Sequence, residues 1–251
     1  MAGNAFNRWR GVLRSILMYY YKPFNRRRLQ RFYQAFVSPG ALCFDIGAHL
    51  GNRTDAWLAL GARVVALEPQ PACITFLKKK WANHPQFTLL PVAAGAQSGT
   101  AALQVSERTP TVSTLSPDKS WQQQLADKSR VAVSWDYEIP VEVVTLDQLI
   151  KNYGIPDFCK IDVEDFEVEV LKGLSQPVPA LSFEYFAYTP HRTFACMDEL
   201  ARIGTYVYNW SYGESQRWAS EQWVSDETLR AIFRTFGPDH RHGDVYARLQ
   251  S

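Results

Sequence analysis

CFDIGAHLGN, residues 43–52, is the stretch from which the rest of the chain is read. An apolar run ends in Asp45, and glycines follow at 47 and 51. Such a run reads as a buried strand that turns sharply into a helix. Gly47 allows the tight turn, and Gly51 lets the helix pack close and present its backbone N–H groups. In open parallel sheets, ligands sit at the carboxyl ends of the strands where the strand order reverses, and the first strand flanks that point.

Strands and helices alternate outward from this unit. After ALCFDI (41–46) come a helix over 52–61, the strand ARVVALEP (62–69), a helix over 71–84 and the strand FTLLPVAAG (87–95). This order predicts right-handed crossovers and a parallel sheet. GTAALQV (99–105) reads as an extra strand, and residues 106–138 are polar and turn-rich, long enough for a lid. Residues 140–154 give a strand and a helix. PDFCKIDVE (156–164) gives a further core strand, in which Lys160 is expected to snorkel outward. A helix closed by Gly173, the strand ALSFEYF (180–186), a helix over 194–204, and the strands TYVYNW (205–210) and GDVYARL (243–249) complete seven core strands, besides the extra strand and the one within 140–154. The fold class is α/β, a doubly wound, Rossmann-like sheet with helices on both faces.

The glycine spacing is G-x-x-x-G, so the dinucleotide fingerprint G-x-G-x-x-G is absent, and so is the phosphate-cradling G-x-x-x-x-G-K-[ST]. An NAD enzyme and a P-loop NTPase are both disfavoured. Two acids end successive strands. Glu68, followed by Pro69, suits a ribose diol, and Asp45 is placed to meet an ammonium group. A ligand with a ribose and an amino-acid part but no phosphate fits S-adenosylmethionine. The competing reading is that Asp45 and Glu68 only cap the helices that follow them.

FDIGAHLGNRT, VVALEPQP, VVTLDQL and DFCKIDVEDFEVEVLKG, in that order over residues 41–186, resemble the FkbM family of S-adenosylmethionine-dependent methyltransferases. The resemblance implies a seven-stranded methyltransferase fold of class I and O-methyl transfer to a hydroxyl on a sugar, glycan, polyketide or similar small molecule. It carries cofactor contacts onto Asp45, Gly47, Ala48, Gly51, Asn52, Glu68 and Pro69. Val92 and Ala93 would lie near the adenine, and Asp162 and Glu164 would face the methyl end. The chain departs from the family twice. It has GAH where the family reads GAN, at His49, and VED where it reads VEG, at Asp165.

Methyl transfer to a hydroxyl needs a general base within hydrogen-bond reach. Asp162 is the first candidate, at the carboxyl end of a central strand. Glu164, Glu184 at the end of the neighbouring strand and His191 in the loop after it are the others. Asp162 could instead only orient the cofactor. No metal set is read from the sequence: the H-x-H of His240 and His242 suits a solvated turn better than a metal. Six aromatics, Tyr206, Tyr208, Trp210, Tyr212, Trp218 and Trp223, could stack on a sugar ring or pack around the last strands.

Hydrophobic residues make up 46% of the chain and aromatics 14%, enough for a core and unlike a disordered chain. Residues 1–44 hold eight basic residues and no acid, leaving 19 basic against 25 acidic residues in the remainder. The reading is therefore a basic helical arm (1–40) and a mildly acidic catalytic domain (41–251). The arm carries Leu13, Ile16, Leu17, Tyr20 and Phe24 at helical spacing, with Pro23 as its stop. It could dip into an anionic membrane, dock on the domain or meet another subunit. No segment is apolar enough to span a bilayer, no signal peptide is read, and Cys43, Cys73, Cys159 and Cys196 show no paired spacing. These features predict a cytoplasmic protein, with peripheral contact at the inner membrane surface as one place for the arm and packing on the domain as the favoured one. A nucleic-acid methyltransferase is the second enzymatic reading. The acidic body and the missing [DN]-P-P-[YF] motif speak against it. A cofactor-binding but inactive scaffold is the third, supported by Asp165 alone.

Overall fold

The computed structural model describes residues 25–129 and 131–250. The first amphipathic stretch of the arm, with Leu13, Ile16, Leu17, Tyr20, Pro23 and Phe24, lies outside them. The described chain runs α1 (Asn25–Tyr33), β1 (Leu42–Ile46), α2 (Asn52–Ala59), β2 (Arg63–Leu67), α3 (Pro71–Trp81), β3 (Phe87–Leu90), β4 (Ala93–Ala94), β5 (Gly99–Val105), α4 (Lys119–Lys128), β6 (Tyr137–Val144), α5 (Leu146–Tyr153), β7 (Phe158–Ile161), α6 (Glu167–Lys172), β8 (Ala180–Tyr185), α7 (Pro190–Ile203), β9 (Tyr206–Tyr212), α8 (Asp226–Arg234) and β10 (Gly243–Leu249). Short 3-10 turns occupy Pro110–Val112 and Gly213–Ser215.

Seven strands form one sheet in the order β3-β2-β1-β7-β8-β10-β9. β10 runs antiparallel to both β8 and β9, and the other pairings are parallel. The chain moves outward from β1 to β3 and then returns to β7 on β1's other side. The order therefore reverses between β1 and β7, where a ligand crevice belongs. Every residue of β1 and β7 is buried, as expected of central strands covered on both faces. Alternation splits β1 between two cores. Leu42, Phe44 and Ile46 join the helices α5, α6 and α7 on one face, while Cys43 joins α1, α2 and α3 on the other.

α1 belongs to this second core. Leu29, Phe32 and Tyr33 are buried among Trp57, Phe158 and Tyr246, and burying side chains of this size is worth about 1.5–3 kcal/mol each. All four cysteines are free and buried.

Four details differ from the sequence reading. The single strand expected over 87–95 is two, because Pro91 has no N–H for the ladder. β4 leaves the main sheet and pairs with β6, in a small second sheet ordered β4-β6-β5. α7 begins at Pro190, whose fixed φ suits the first helical position, so His191 stands in a helix and not in a loop. Finally, Lys160 is buried to 2% exposure. β7 is covered on both faces, and the lysine side chain ends between Asp162 and Asp244 instead of snorkelling outward. Among the described residues, no helix is long and apolar enough to cross a membrane.

Candidate active site

β1 and β7 end side by side, with Ile46 paired to Ile161 and the Asp162 amide donating to Ile46 O at 2.9 Å. The chain leaves β1 through Gly47, at φ 81°. A Cβ on Gly47 would stand 1.9 Å from the Asp162 carbonyl oxygen, so only glycine allows the two strand ends to lie this close. Gly51, at φ 72°, acts one turn later: a Cβ there would stand 2.6 Å from the Trp81 ring. Its role is to let α2 approach α3.

A cavity of about 880 Å³, open to solvent, lies over these strand ends. Of the residues singled out in the sequence, Asp45, Gly47, Ala48, Asn52, Glu68, Pro69, Val92, Ala93, Asp162 and Glu164 line it. Gly51, Glu184 and His191 do not. His191 is exposed in the first turn of α7. The six aromatics also lie elsewhere. Tyr206, Tyr208 and Trp210 are buried in the core, Tyr212 packs against it, Trp218 packs on Phe32 of α1 and on Tyr246, and Trp223 packs on Phe36 just after α1. His240 and His242 stack on Phe236 and Phe186.

The donors and acceptors fit the cofactor read from the sequence. Glu68 is 1% exposed. Its Oε2 accepts the His49 amide at 2.7 Å and its Oε1 accepts the Gln70 amide at 2.8 Å. Each carboxylate oxygen keeps a second lone pair, so both can still take a hydroxyl of a ribose diol. Asp45 does what its helix-capping reading expected. Its Oδ2 accepts Thr54 N at 3.2 Å and Thr54 Oγ1 at 2.6 Å, which ties down the first turn of α2. Oδ1 is the oxygen left for an ammonium group. His49 sits at φ 50° and contributes its amide. Burial lowers its imidazole pKa to about 4, so the ring is neutral at pH 7.

Burial raises the Glu68 pKa from 4.5 to about 7, against the pull of its two amide donors. A carboxyl whose pKa rises on folding stabilises the fold while protonated, and that contribution is lost as pH climbs from about 4.5 through 7. Glu68→Gln is therefore expected to melt higher than the parent at pH 8 and to show a smaller stability loss between pH 5 and 8. Some slope persists, because burial also raises Glu167 to about 7. Cofactor affinity should move the opposite way, rising in the parent through pH 7 and falling at least tenfold in the variant, the loss of one charged hydrogen bond. Scanning calorimetry and titration read the two effects. Full affinity in the variant would remove Glu68 from the ribose site.

Along the inner wall of the cavity runs a chain of charge, buried at Arg53, Lys160 and Asp244 and exposed at Glu214, whose connections the sequence reading missed. Lys160 Nζ is 3.0 Å from both Asp162 Oδ2 and Asp244 Oδ1. Arg53 Nη2 is 2.9 Å from Glu214 Oε1 and 3.9 Å from Asp244 Oδ2. Arg53, Lys160 and Glu214 all line the cavity. Burial tends to raise the Asp162 pKa, but Lys160 and Arg53 more than offset it and hold the carboxyl below its usual range.

Glu164 behaves otherwise. Burial and then the neighbouring Asp162 and Glu167 push its pKa well above the ordinary value, and burial with Glu164 and Asp162 does the same to Glu184. Asp162, Glu164 and Glu184 can bring one oxygen each within 4.8 Å of one another, a spacing that could also hold a divalent cation.

The polar segment after β5 covers the cavity. Ser113 Oγ donates to Gln70 Oε1 at 3.0 Å, and Gln70 Nε2 donates to Pro110 O at 3.1 Å. Thr114 Oγ1 donates to the Glu164 carbonyl. Asp165, at φ 74°, is 8% exposed. Its Oδ2 accepts Ser116 Oγ at 2.6 Å, and Arg192 Nη1 lies 2.7 Å from its Oδ1. Arg192 also pairs with Asp118. The departure from glycine at 165 thus supplies a fastening for the cover, at a backbone angle aspartate tolerates.

The family model for the methyltransferase FkbM domain matches residues 45–187. No curated protein matches the chain. Solved structures similar to it include a TehB-like SAM-dependent methyltransferase from Corynebacterium glutamicum, at 12% identity and TM-score 0.46, covering 98% of this chain and 97% of that one. A precorrin-6y C5,15-methyltransferase from Geobacter metallireducens matches at 10% identity and TM-score 0.46, covering 90% and 86%. Aeropyrum pernix fibrillarin in complex with natively bound S-adenosyl-L-methionine matches at 10% identity and TM-score 0.41, covering 84% and 68%. With this match over more than half its length, the chain belongs to the FkbM family of S-adenosylmethionine-dependent methyltransferases.

Proposed function

We propose that the enzyme methylates a hydroxyl group on a sugar, glycan or other small natural product, with Glu164 accepting the hydroxyl proton. The observation that supports this most is the grouping of Asp162, Glu164 and Glu184 at the ends of β7 and β8. S-adenosylmethionine, when bound, supplies a methyl group made electrophilic by its sulfonium sulfur. The protein must then align an oxygen with that methyl, exclude water and remove a proton. Asp162, first in line from sequence, is a poor base because Lys160 stabilises its charge at 3.0 Å; it suits orientation better. Glu164 has the opposite environment, and a carboxyl that binds protons avidly is the better acceptor. The cover residues Ser113 and Thr114 close the space above.

The test is transfer of labelled methyl to a panel of hydroxyl, amine and nucleic-acid acceptors. Turnover on hydroxyl acceptors should rise with pH, and Glu164→Gln should cut kcat by about 10²–10⁴ while leaving cofactor affinity within a few-fold. Transfer confined to nucleic acid, or full turnover in the variant, would reject the reading. The same carboxylates favour a second reading, in which a divalent cation binds the hydroxyl and lowers its pKa. Turnover lost on chelation and restored by magnesium would select the cation; unchanged turnover would select Glu164 alone.

A further inference from the structure

α1 buries one face and exposes the other. Leu29, Phe32 and Tyr33 point into the core, while Arg27 and Arg31 stand in solvent. The segment after β9 lays Arg217 and Trp218 beside them, and with Arg28 these residues wall a surface groove. Four guanidinium groups line this groove and no carboxylate does. Several cations elsewhere find acids: Arg26 and Lys80 pair with Asp55, Arg192 with Asp165, and Arg230 with Asp198 and Asp226. Arg28 has the Asn25 side chain at 2.8 Å. Among the described residues, Arg27, Arg31 and Arg217 have no carboxylate partner. Like charges crowded without counter-charge cost stability, so the arrangement suits an anion from outside.

We propose that this groove docks the protein on an anionic membrane, with lipid phosphates between the arginines and Trp218 at headgroup level. Planar guanidinium groups take phosphate oxygens in pairs. Indole rings favour the membrane–water boundary, and Trp218 is held on Phe32 at 4.4 Å. The sequence leading into α1 chooses lipid over nucleic acid. It adds Arg8, Arg10, Arg14 and Lys22 without an acid, and sets Leu13, Ile16, Leu17 and Tyr20 at helical spacing. Acyl chains offer those apolar residues a place to bury, and a nucleic acid does not. The rest of the chain is net acidic, so a negative surface attracts this face and repels the others.

Docking here also orients the catalytic end. Gln216, on the groove wall, donates from Nε2 to Glu214 Oε2 at 2.8 Å, and Glu214 lines the cavity. The inference does not depend on the identity of the methyl acceptor.

The experiment is co-sedimentation of the full chain with vesicles of phosphatidylcholine containing about one-third phosphatidylglycerol, against phosphatidylcholine alone. Binding is expected only to the anionic vesicles, and it should weaken with salt. Arg217→Gln should lower the partition coefficient about fivefold, and the triple change Arg27→Gln, Arg31→Gln, Arg217→Gln about a hundredfold. Melting and cofactor titration should stay as in the parent. Arg217 is remote in sequence from the basic arm, so it separates the groove from the arm: parental binding by Arg217→Gln would overturn the proposal. So would absence of binding to anionic vesicles. Arg217-dependent binding of a short DNA or RNA duplex, tighter than binding to the vesicles, would assign the groove to nucleic acid instead.

Discussion

Lys160→Met is expected to destabilise the protein by about 3–5 kcal/mol and to lower the melting temperature by roughly 10 °C. The methionine fills much of the same volume, so lost packing is a small part of the effect. The main cost is electrostatic. Removing the ammonium leaves Asp244, buried at 6% exposure, without its 3.0 Å partner, and the nearest remaining cation is Arg53 at 3.9 Å. Asp162 loses its partner too, and its pKa should rise. Adding Asp244→Asn to the methionine variant removes one of the stranded charges and should recover part of the loss, since replacing a buried pair costs far less than breaking it. Thermal melts of the parent, single and double variants test this. A single variant that melts with the parent would mean that the lysine reaches solvent, as its sequence context alone suggested.

Gly47→Ala should reduce cofactor affinity by about a hundredfold, the usual scale for displacing a binding group by an ångström. The added methyl has nowhere to go. Its ideal position is 1.9 Å from the Asp162 carbonyl oxygen, a strand-end atom that cannot swing aside as a side chain would. The backbone angle, φ 81°, adds strain of about 1–2 kcal/mol for any residue with a Cβ. Either β1 and β7 separate or the turn flattens, and both move Asp45 and Asp162 relative to Glu68. Gly99→Ala is the control, because a Cβ there meets nothing within 4 Å. Calorimetric titration of the two variants, with circular dichroism to confirm that both fold, gives the comparison. Equal affinity in both would show that the turn is not part of the cofactor site.

The strand-end half of the candidate site could be read from the sequence, because each of its acids closes an apolar run. Asp45, Glu68 and Asp162 each close an apolar run, and Gly47 and Gly51 mark the turn that follows the first. The other half came from segments distant in sequence. Arg53 sits in what reads as an ordinary helix, Glu214 in a turn among aromatics, and Asp244 at the start of the last strand. Only the sheet order, with β10 inserted between β8 and β9, brings Asp244 to Lys160. Lys160 itself carried a usable signal. A lysine inside a short strand that is apolar on both faces has no exposed side to reach, and so needs an acid nearby. The aromatic residues misled in the opposite direction. Their density suggested a sugar platform, but they serve as packing for α1 and the last three strands. Asp165 was legible as a departure from the family pattern, but not as a fastening, because Ser116 and Arg192 meet it from segments on either side in sequence.

The cover between Pro110 and Asp118 is tied down by polar contacts at Gln70, Glu164, Asp165 and Arg192. Trp121, fully buried just beyond it, anchors its far end. When such a strip lifts, each protein partner is exchanged for water and little oily surface is uncovered, so the motion carries a small heat-capacity change. Dissolved ions that screen the Arg192 contacts loosen it. Opening of the cavity is therefore expected to respond to salt at the more exposed Asp118 contact, while the buried Asp165 contact holds.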